Sequence, residues 1–282
     1  MHSVELPKGS PIGLAVCLHG APGSARDFRH VAPRLLSQNV AVLRCDLPGH
    51  GTSALPTAAV SLSPAMYASA VEHLLQSDSV MNAKLKPDLP RVVVAHSLGG
   101  SIALELLHRA AHGDNQLNSL FQSQCQAGVF LSSVGLTPHK GIRPYSLIRA
   151  MGAMAEIPIL GDAVVGPLLR ELYVRVLGFS PRLQAREAAV AQRRVCGVDF
   201  PSHEEMAHAI RSSPLFPDGS LQCVFALDDH LMEMEVLQGM TSALGAQGTV
   251  LPDGGHHAPV RAAHAQVTAD AIVRAIDAVK RT

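Results

Sequence analysis

Residues 91–107 read RVVVAHSLGGSIALELL, and the fold can be worked outward from them. Val92, Val93, Val94 and Ala95 form an apolar run with no polar alternation, as in a strand buried on both faces of a parallel sheet. The chain then turns at Ser97, passes Gly99 and Gly100, and runs on with Leu98, Ile102, Ala103, Leu106 and Leu107 at the spacing of one helix face. A strand that gives way to a helix across one serine needs a sharp turn, in which the serine is strained and its neighbours must be small. Gly99 is one such neighbour. Ala95 stands where the pattern G-x-S-x-G has its first glycine, so the same turn packs more tightly here. The geometry lifts the Ser97 hydroxyl clear of the sheet and aims a helix N-terminus at the atom it would attack. The plain alternative is an ordinary serine at a helix start.

The same alternation extends along most of the chain. Further buried-strand runs are LAVCLH (14–19), VAVLRC (40–45), AGVFLSS (127–133), LQCVFAL (221–227) and GTVLP (248–252). Between them, Ser63-Pro64 reads as an N-cap followed by proline at the first helical position, starting a helix through about Ser77. Residues 260–281 repeat the helical period through Val267, Ala271, Ile272, Ala275, Ile276 and Val279. Strand–helix alternation of this kind predicts an α/β fold, a mostly parallel central sheet flanked by helices.

From Thr137 to Pro214 the strands stop and only helices are expected. Leu160, Val164, Val165, Leu168, Leu169, Leu172, Tyr173, Val176 and Leu177 fall on one broad apolar face over 160–177. Ser180-Pro181 predicts another helix start, and Ser202 with Glu205 has the spacing of a capping box for a third. The expected organisation is a core of 1–136 and 215–282, with 137–214 a helical lid inserted between two late strands. The apolar stripe of the lid is read first as packing against the core. Its alternatives are an acyl tunnel and a peripheral contact with a membrane surface. The polar stretch 112–126 reads as a surface connection.

Composition narrows the function classes. The 282 residues are 47% hydrophobic and 16% charged, a globular rather than a disordered balance. Lys plus Arg and Asp plus Glu both total 23, so there is no basic field to hold nucleic acid. No apolar run approaches the ~18 residues of a membrane span. Five scattered cysteines (17, 45, 125, 196, 223) include no CxxC pair and suit a reducing compartment, with the cytoplasm as default location. IGLAVCL (12–18) has the look of a short signal-peptide core, but the same residues are needed as a strand. No metal-ligand spacing, P-loop or GxGxxG after a strand is present, so neither metal nor cofactor is expected.

Three more motifs complete the pattern. LQCVFAL ends in Asp228-Asp229-His230, and GTVLP leads into Asp253-Gly-Gly-His256-His257. HGAPGS (19–24) follows the first clear strand, and DLPGHGTS (46–53) the next. Together with the Ser97 turn, these resemble the α/β-hydrolase family, specifically its lid-bearing serine hydrolases of the AB hydrolase-1 type. The family's triad runs Ser, acid, His in chain order. The resemblance implies Ser97 as nucleophile, His256 as base and Asp229 as the acid that holds the imidazole tautomer, with Asp228 the alternative acid. The spare aspartate would cap the turn near 231, and His257 would be a neighbour. The strand before the lid ends SSVG, which offers no carboxylate. The HG-x-P turn implies an oxyanion hole from the amides of Ala21 and Leu98, where loss of one donor typically costs roughly 3–4 kcal/mol. In this family pattern His19, His96 and Asp46 are structural. About 11 residues precede the first clear strand, fewer than in most relatives, so a short first sheet edge is expected.

The function implied is a serine hydrolase that cleaves a carboxylic ester, a thioester or a small amide, through an acyl-enzyme. The aliphatic lid face favours a hydrophobic acyl group. C–C bond hydrolysis and acyl transfer use the same triad, and a non-catalytic binding protein on the same scaffold is the alternative from another class. Serine at the turn, rather than aspartate, argues against epoxide hydrolase or dehalogenase chemistry. Arg143, Arg149, Arg170, Arg175, Arg193 and Arg194 give the lid excess positive charge, read mainly as a solvated helix face.

Overall fold

The computed structural model describes residues 2–54, 61–77, 85–86, 88–112, 125–157 and 160–281. Seven strands, β1 (His2–Glu5), β2 (Gly13–Leu18), β3 (Val40–Cys45), β4 (Arg91–His96), β5 (Cys125–Leu131), β6 (Leu221–Ala226) and β7 (Gln247–Leu251), form one sheet in the order β1-β3-β2-β4-β5-β6-β7. Only β1 is antiparallel; it pairs with β3 from His2↔Cys45 to Glu5↔Val42. The sheet is thus mostly parallel and helix-flanked. The sequence runs located six of the strands and missed β1, whose four residues are too exposed and polar to make a buried-strand pattern.

Helices α1 (Val31–Ser37), α2 (Pro64–Leu75), α3 (Gly99–His112), α4 (Tyr145–Ala155), α5 (Gly166–Arg175), α6 (Ala185–Cys196), α7 (Phe200–Ser212), α8 (Met234–Leu244) and α9 (Ala265–Lys280) complete the described elements. The continuous apolar runs are explained by two cores, one on each face. In β2, Leu14, Val16 and Leu18 face the layer of α2, α3 and α8, while Ala15 and Cys17 face α1 and α9. β4 divides the same way, Val93 and Ala95 against Val92 and Val94. Burying a Val or Leu contributes roughly 1.5–3 kcal/mol each, so both faces of each strand must be covered.

Helices α4 to α7 lie between β5 and β6 and include no strand among the described residues. Three boundaries differ from the sequence expectation. Residues 160–177 are not one helix, because a π-helical turn at Gly161–Val165 precedes α5. That change of pitch splits the stripe. Val165, Leu169 and Tyr173 are buried together with Leu183, Ala188 and Ala191, whereas Leu160, Val164, Leu168 and Val176 face outward. Ser180-Pro181 does not open a helix. Arg170 binds the carbonyls of Pro181 and Leu183 instead, and α6 begins after Gln184, boxed by Glu187. Similarly, α7 starts at Phe200, and the Ser202 hydroxyl donates to Asp199 Oδ2 at 2.6 Å rather than capping a later helix. Most of the polar stretch 112–126 lies outside the described residues.

No helix among the described residues is long and apolar enough to cross a membrane.

Candidate active site

The functional motifs meet along one edge of the sheet, beyond the carboxyl ends of β2, β4, β6 and β7. Strand order reverses between β2 and β4, the place where open α/β sheets leave a crevice. Ser97 follows β4 with φ at 52°, the left-handed region that side chains rarely adopt. Its backbone is pinned there. The amide donates to Leu131 O at 3.0 Å, and the carbonyl accepts from Val134 N and Gly100 N at the same distance. Two glycines permit the turn. A Cβ on Gly99 would stand 2.5 Å from Leu18 O, and one on Gly20 would stand 2.8 Å from Ser97 Cβ. Ala95 is fully buried in the core and its methyl is accommodated.

His256 comes from a short 3₁₀ turn after β7, Gly255–Val260, and Asp229 from the loop after β6. His256 Nε2 lies 2.8 Å from Ser97 Oγ, and its Nδ1 lies 2.9 Å from Asp229 Oδ2. A carboxylate only accepts, so Nδ1 carries the ring proton and Nε2 presents its lone pair to the serine hydroxyl. The other oxygen, Asp229 Oδ1, accepts from Leu231 N and Met232 N at 2.9 and 3.0 Å. Burial opposes ionisation of Asp229, but the hydrogen bond from His256 and those from these two amides outweigh it and bring its pKa to about 2.

The structure separates the two aspartates by position and partners. Asp228 is turned outward and accepts from Gly254 N and Gly255 N at 3.1 and 2.8 Å. The turn near 231 is therefore capped by Asp229, not by Asp228, contrary to the sequence expectation. Both duties fit one residue because a carboxylate has two oxygens. His257 packs against His96 and Phe179, and burial lowers its pKa to about 4. His96 is buried beneath the site, with Nε2 3.2 Å from the His256 carbonyl.

The amides of Ala21 and Leu98 belong to loops that meet at Ser97, and neither finds an acceptor among the described residues. His19 fixes the first of these loops, donating from Nδ1 to Gly20 O at 2.7 Å and accepting from Leu47 N at 3.0 Å. Burial and the nearby Arg194 charge lower its pKa to about 3, so it stays neutral. Asp46 braces the neighbouring turn through Ala25 N, Thr52 N and the Thr52 hydroxyl.

Ser97 and His256 open into a cavity of about 60 Å³, walled by Val134, Ile142, Leu177, Phe179, Val198 and Met232. Several of these residues belong to the helical insertion and were not singled out in the sequence. The site also contains His139, whose Nδ1 lies 2.8 Å from Leu231 O and whose pKa burial lowers to about 4. Phe179 also borders a cleft of about 670 Å³ lined by Ser24, Arg26, Asp46, Thr52 and Arg182, among others, which contains none of the three residues Ser97, Asp229 and His256. No signal in the sequence marked Phe179 or His139, because each acts through position in the tertiary fold.

Among the described residues, no three His, Cys, Asp or Glu side chains cluster so as to hold a metal ion.

Comparison with known proteins places this geometry in context. A sequence profile described as the alpha/beta hydrolase family matches residues 15–271. MenH from S. aureus superposes with a TM-score of 0.69 at 14% identity, covering 99% of this chain and 98% of its own. An alpha/beta hydrolase fold protein from Burkholderia ambifaria gives 0.65 at 21% identity, with 95% and 92% covered. A lipase-esterase related protein from Clostridium acetobutylicum gives 0.62 at 16%, with 97% and 98% covered. At these identities the likeness is one of fold. No curated protein matches the sequence.

Proposed function

The chain belongs to the alpha/beta hydrolase family, and from that premise we propose a serine hydrolase that cleaves a carboxylic ester or thioester through an acyl-enzyme. The observation that carries this reading is the continuous relay Asp229–His256–Ser97, with both links at 2.8–2.9 Å.

In this reading His256 Nε2 takes the Ser97 proton as Oγ attacks the carbonyl carbon. The oxyanion of the tetrahedral intermediate rests against the amides of Ala21 and Leu98. Collapse breaks the bond to the leaving group, which receives the proton from His256, and the acyl group stays on Ser97. Water then enters, His256 takes its proton, and a second collapse releases the acid and restores the serine hydroxyl. Asp229 accepts a hydrogen bond from Nδ1 throughout and stabilises the imidazolium.

Residues 137–214 act as a lid in this reading. Tyr173, Leu177, Phe179, Val195 and Val198 from this segment supply much of the apolar wall around Ser97. An apolar cavity of this small volume favours a short hydrophobic acyl group, while the leaving group exits toward solvent.

A fluorophosphonate probe tests the proposal, with wild type beside Ser97→Ala and His256→Ala and peptide mapping of the adduct. The expected result is labelling at Ser97 that both substitutions abolish. Folded wild-type protein that takes no label, even with mild detergent to loosen the lid, would overturn the enzyme reading in favour of a binding protein.

A further inference from the structure

We infer that Arg194 on α6 is a positioning residue for the oxyanion hole, holding and polarising the Gly20–Ala21 peptide whose N–H faces the reacting carbonyl. The inference rests on the hydrolase reading and assigns a role to a side chain that the sequence pattern had placed on a solvated helix face. Arg194 is instead 3% exposed. Its Nη1 donates to Gly20 O at 3.1 Å and lies 3.5 Å from His50 Nε2, and its guanidinium sits 4.7 Å over the Tyr67 ring. No carboxylate pairs with it among the described residues.

The acceptor is the informative partner. Gly20 O and the Ala21 N–H are opposite ends of one planar peptide unit. A cation on the oxygen draws electron density from the nitrogen and strengthens its N–H as a donor, as hydrogen bonds in a chain polarise one another. The same oxygen also accepts from His19 Nδ1, so the peptide plane is gripped from two directions. His19 and His50 are both neutral, each lowered by burial and then by the charge of Arg194, so the guanidinium supplies the positive charge of the cluster. Burial lowers Arg194 itself to about 10, against the opposing influence of Tyr67 and Tyr173, which leaves it charged at neutral pH.

Docking of α6 does not by itself call for this residue. Burying a cation without a counter-ion costs several kcal/mol, and an apolar side chain of similar volume generally packs more stably. The guanidinium is placed where its charge reaches the oxyanion amide. Because α6 belongs to the 137–214 segment, the hole is complete only when that segment is seated on the core.

The test compares kcat, KM and the affinity of an alkyl boronic acid, which forms a tetrahedral adduct on the serine, for wild type, R194M, R194Q and R194K. Tyr145→Phe serves as the control for loosened packing, since the Tyr145 hydroxyl lies 2.8 Å from the Val195 and Val198 carbonyls. R194M and R194Q are expected to lower kcat roughly 10- to 100-fold, below the full loss of an oxyanion donor, with KM within about threefold. Boronic acid affinity should fall by the same factor, and R194K should recover activity. Should R194M fail to fold, R194Q against R194K decides, and equal kcat in that pair overturns the inference. So does an R194M kcat within twofold of wild type, or a loss matched by Y145F. Wild type without Ser97-dependent turnover overturns the hydrolase reading and this inference with it; active wild type with an unaltered R194M overturns this inference alone.

Discussion

Asp228 and Asp229 are consecutive in the chain, yet they grip the His256 loop at two different points. Asp229 binds the imidazole through Nδ1 at 2.9 Å, and Asp228 binds the Gly254 and Gly255 amides just before it. One carboxylate orients the ring and the other orients the backbone that carries it. Asp229→Asn keeps the shape but removes the charge and favours the wrong tautomer, so kcat should fall by roughly 10³–10⁴. Asp228→Asn should cost about tenfold, with the larger share in kcat. Parallel kinetics on a short p-nitrophenyl ester separate the two, and equal losses would reverse the assignment of roles.

Gly20 leaves no room for a side chain beside the nucleophile. Gly20→Ala would put a methyl 2.8 Å from Ser97 Cβ and 3.3 Å from its Oγ. The serine or the loop must shift, and a displacement near 1 Å can lower the rate by about 100-fold. Fluorophosphonate labelling should slow by that order while the thermal transition remains cooperative. Labelling at the wild-type rate would show that the turn tolerates a side chain there.

Phe179 stands between the apolar cavity at Ser97 and the larger cleft beyond it. Phe179→Ala should join the two and move substrate preference toward longer acyl chains. Comparing kcat/KM over p-nitrophenyl esters from acetate to octanoate checks this. An unchanged chain-length optimum would mean that another wall sets the acyl limit.

Acid should unfold this protein early. His19, His50, His96, His139 and His257 all have native pKa values lowered first by burial, to about 3 for His19 and about 4 for His139 and His257. Above about pH 6.5 these rings are neutral in both folded and unfolded chains, and their contribution to the pH dependence is nil. Below that, the unfolded chain binds protons that the folded one refuses, and each ring costs up to about 1.4 kcal/mol per pH unit. Asp229 acts lower, because its folded pKa of about 2 makes its stabilisation complete above the unfolded value and lost as pH falls toward 2. Calorimetry should show Tm dropping steeply from pH 6.5 to 5; a flat Tm over that range would mean that the rings are solvated.

The sequence made the sheet legible because strands buried on both faces leave unbroken runs such as VVVA at 92–95, which nothing polar interrupts. The candidate site residues, which the structure brings within hydrogen-bond distance of one another, were legible for a different reason. Ser97, Asp229 and His256 each sit just past the end of such a run, where local pattern and chain order coincide. Arg194 was not legible. Its helix carries Arg193 beside it, partly exposed near Glu156, and only the tertiary position of Gly20 and Tyr67 tells one guanidinium from the next. The outward half of the 160–177 stripe was misjudged because a π-helical turn shifts the angular register of every residue after it.

The placement of helices α4 to α7 between β5 and β6 also orders the birth of the site. A ribosome releases Gly20, Ala21 and Ser97 before it makes the helices that cover them, and Asp229 and His256 only afterwards. On the proposed roles, a nascent chain, or one truncated before His256, carries a serine with no base to activate it. In the serine hydrolase reading proposed above, hydrolysis would begin only once β7 has added to the sheet, and an unfinished molecule would leave the esters around it intact.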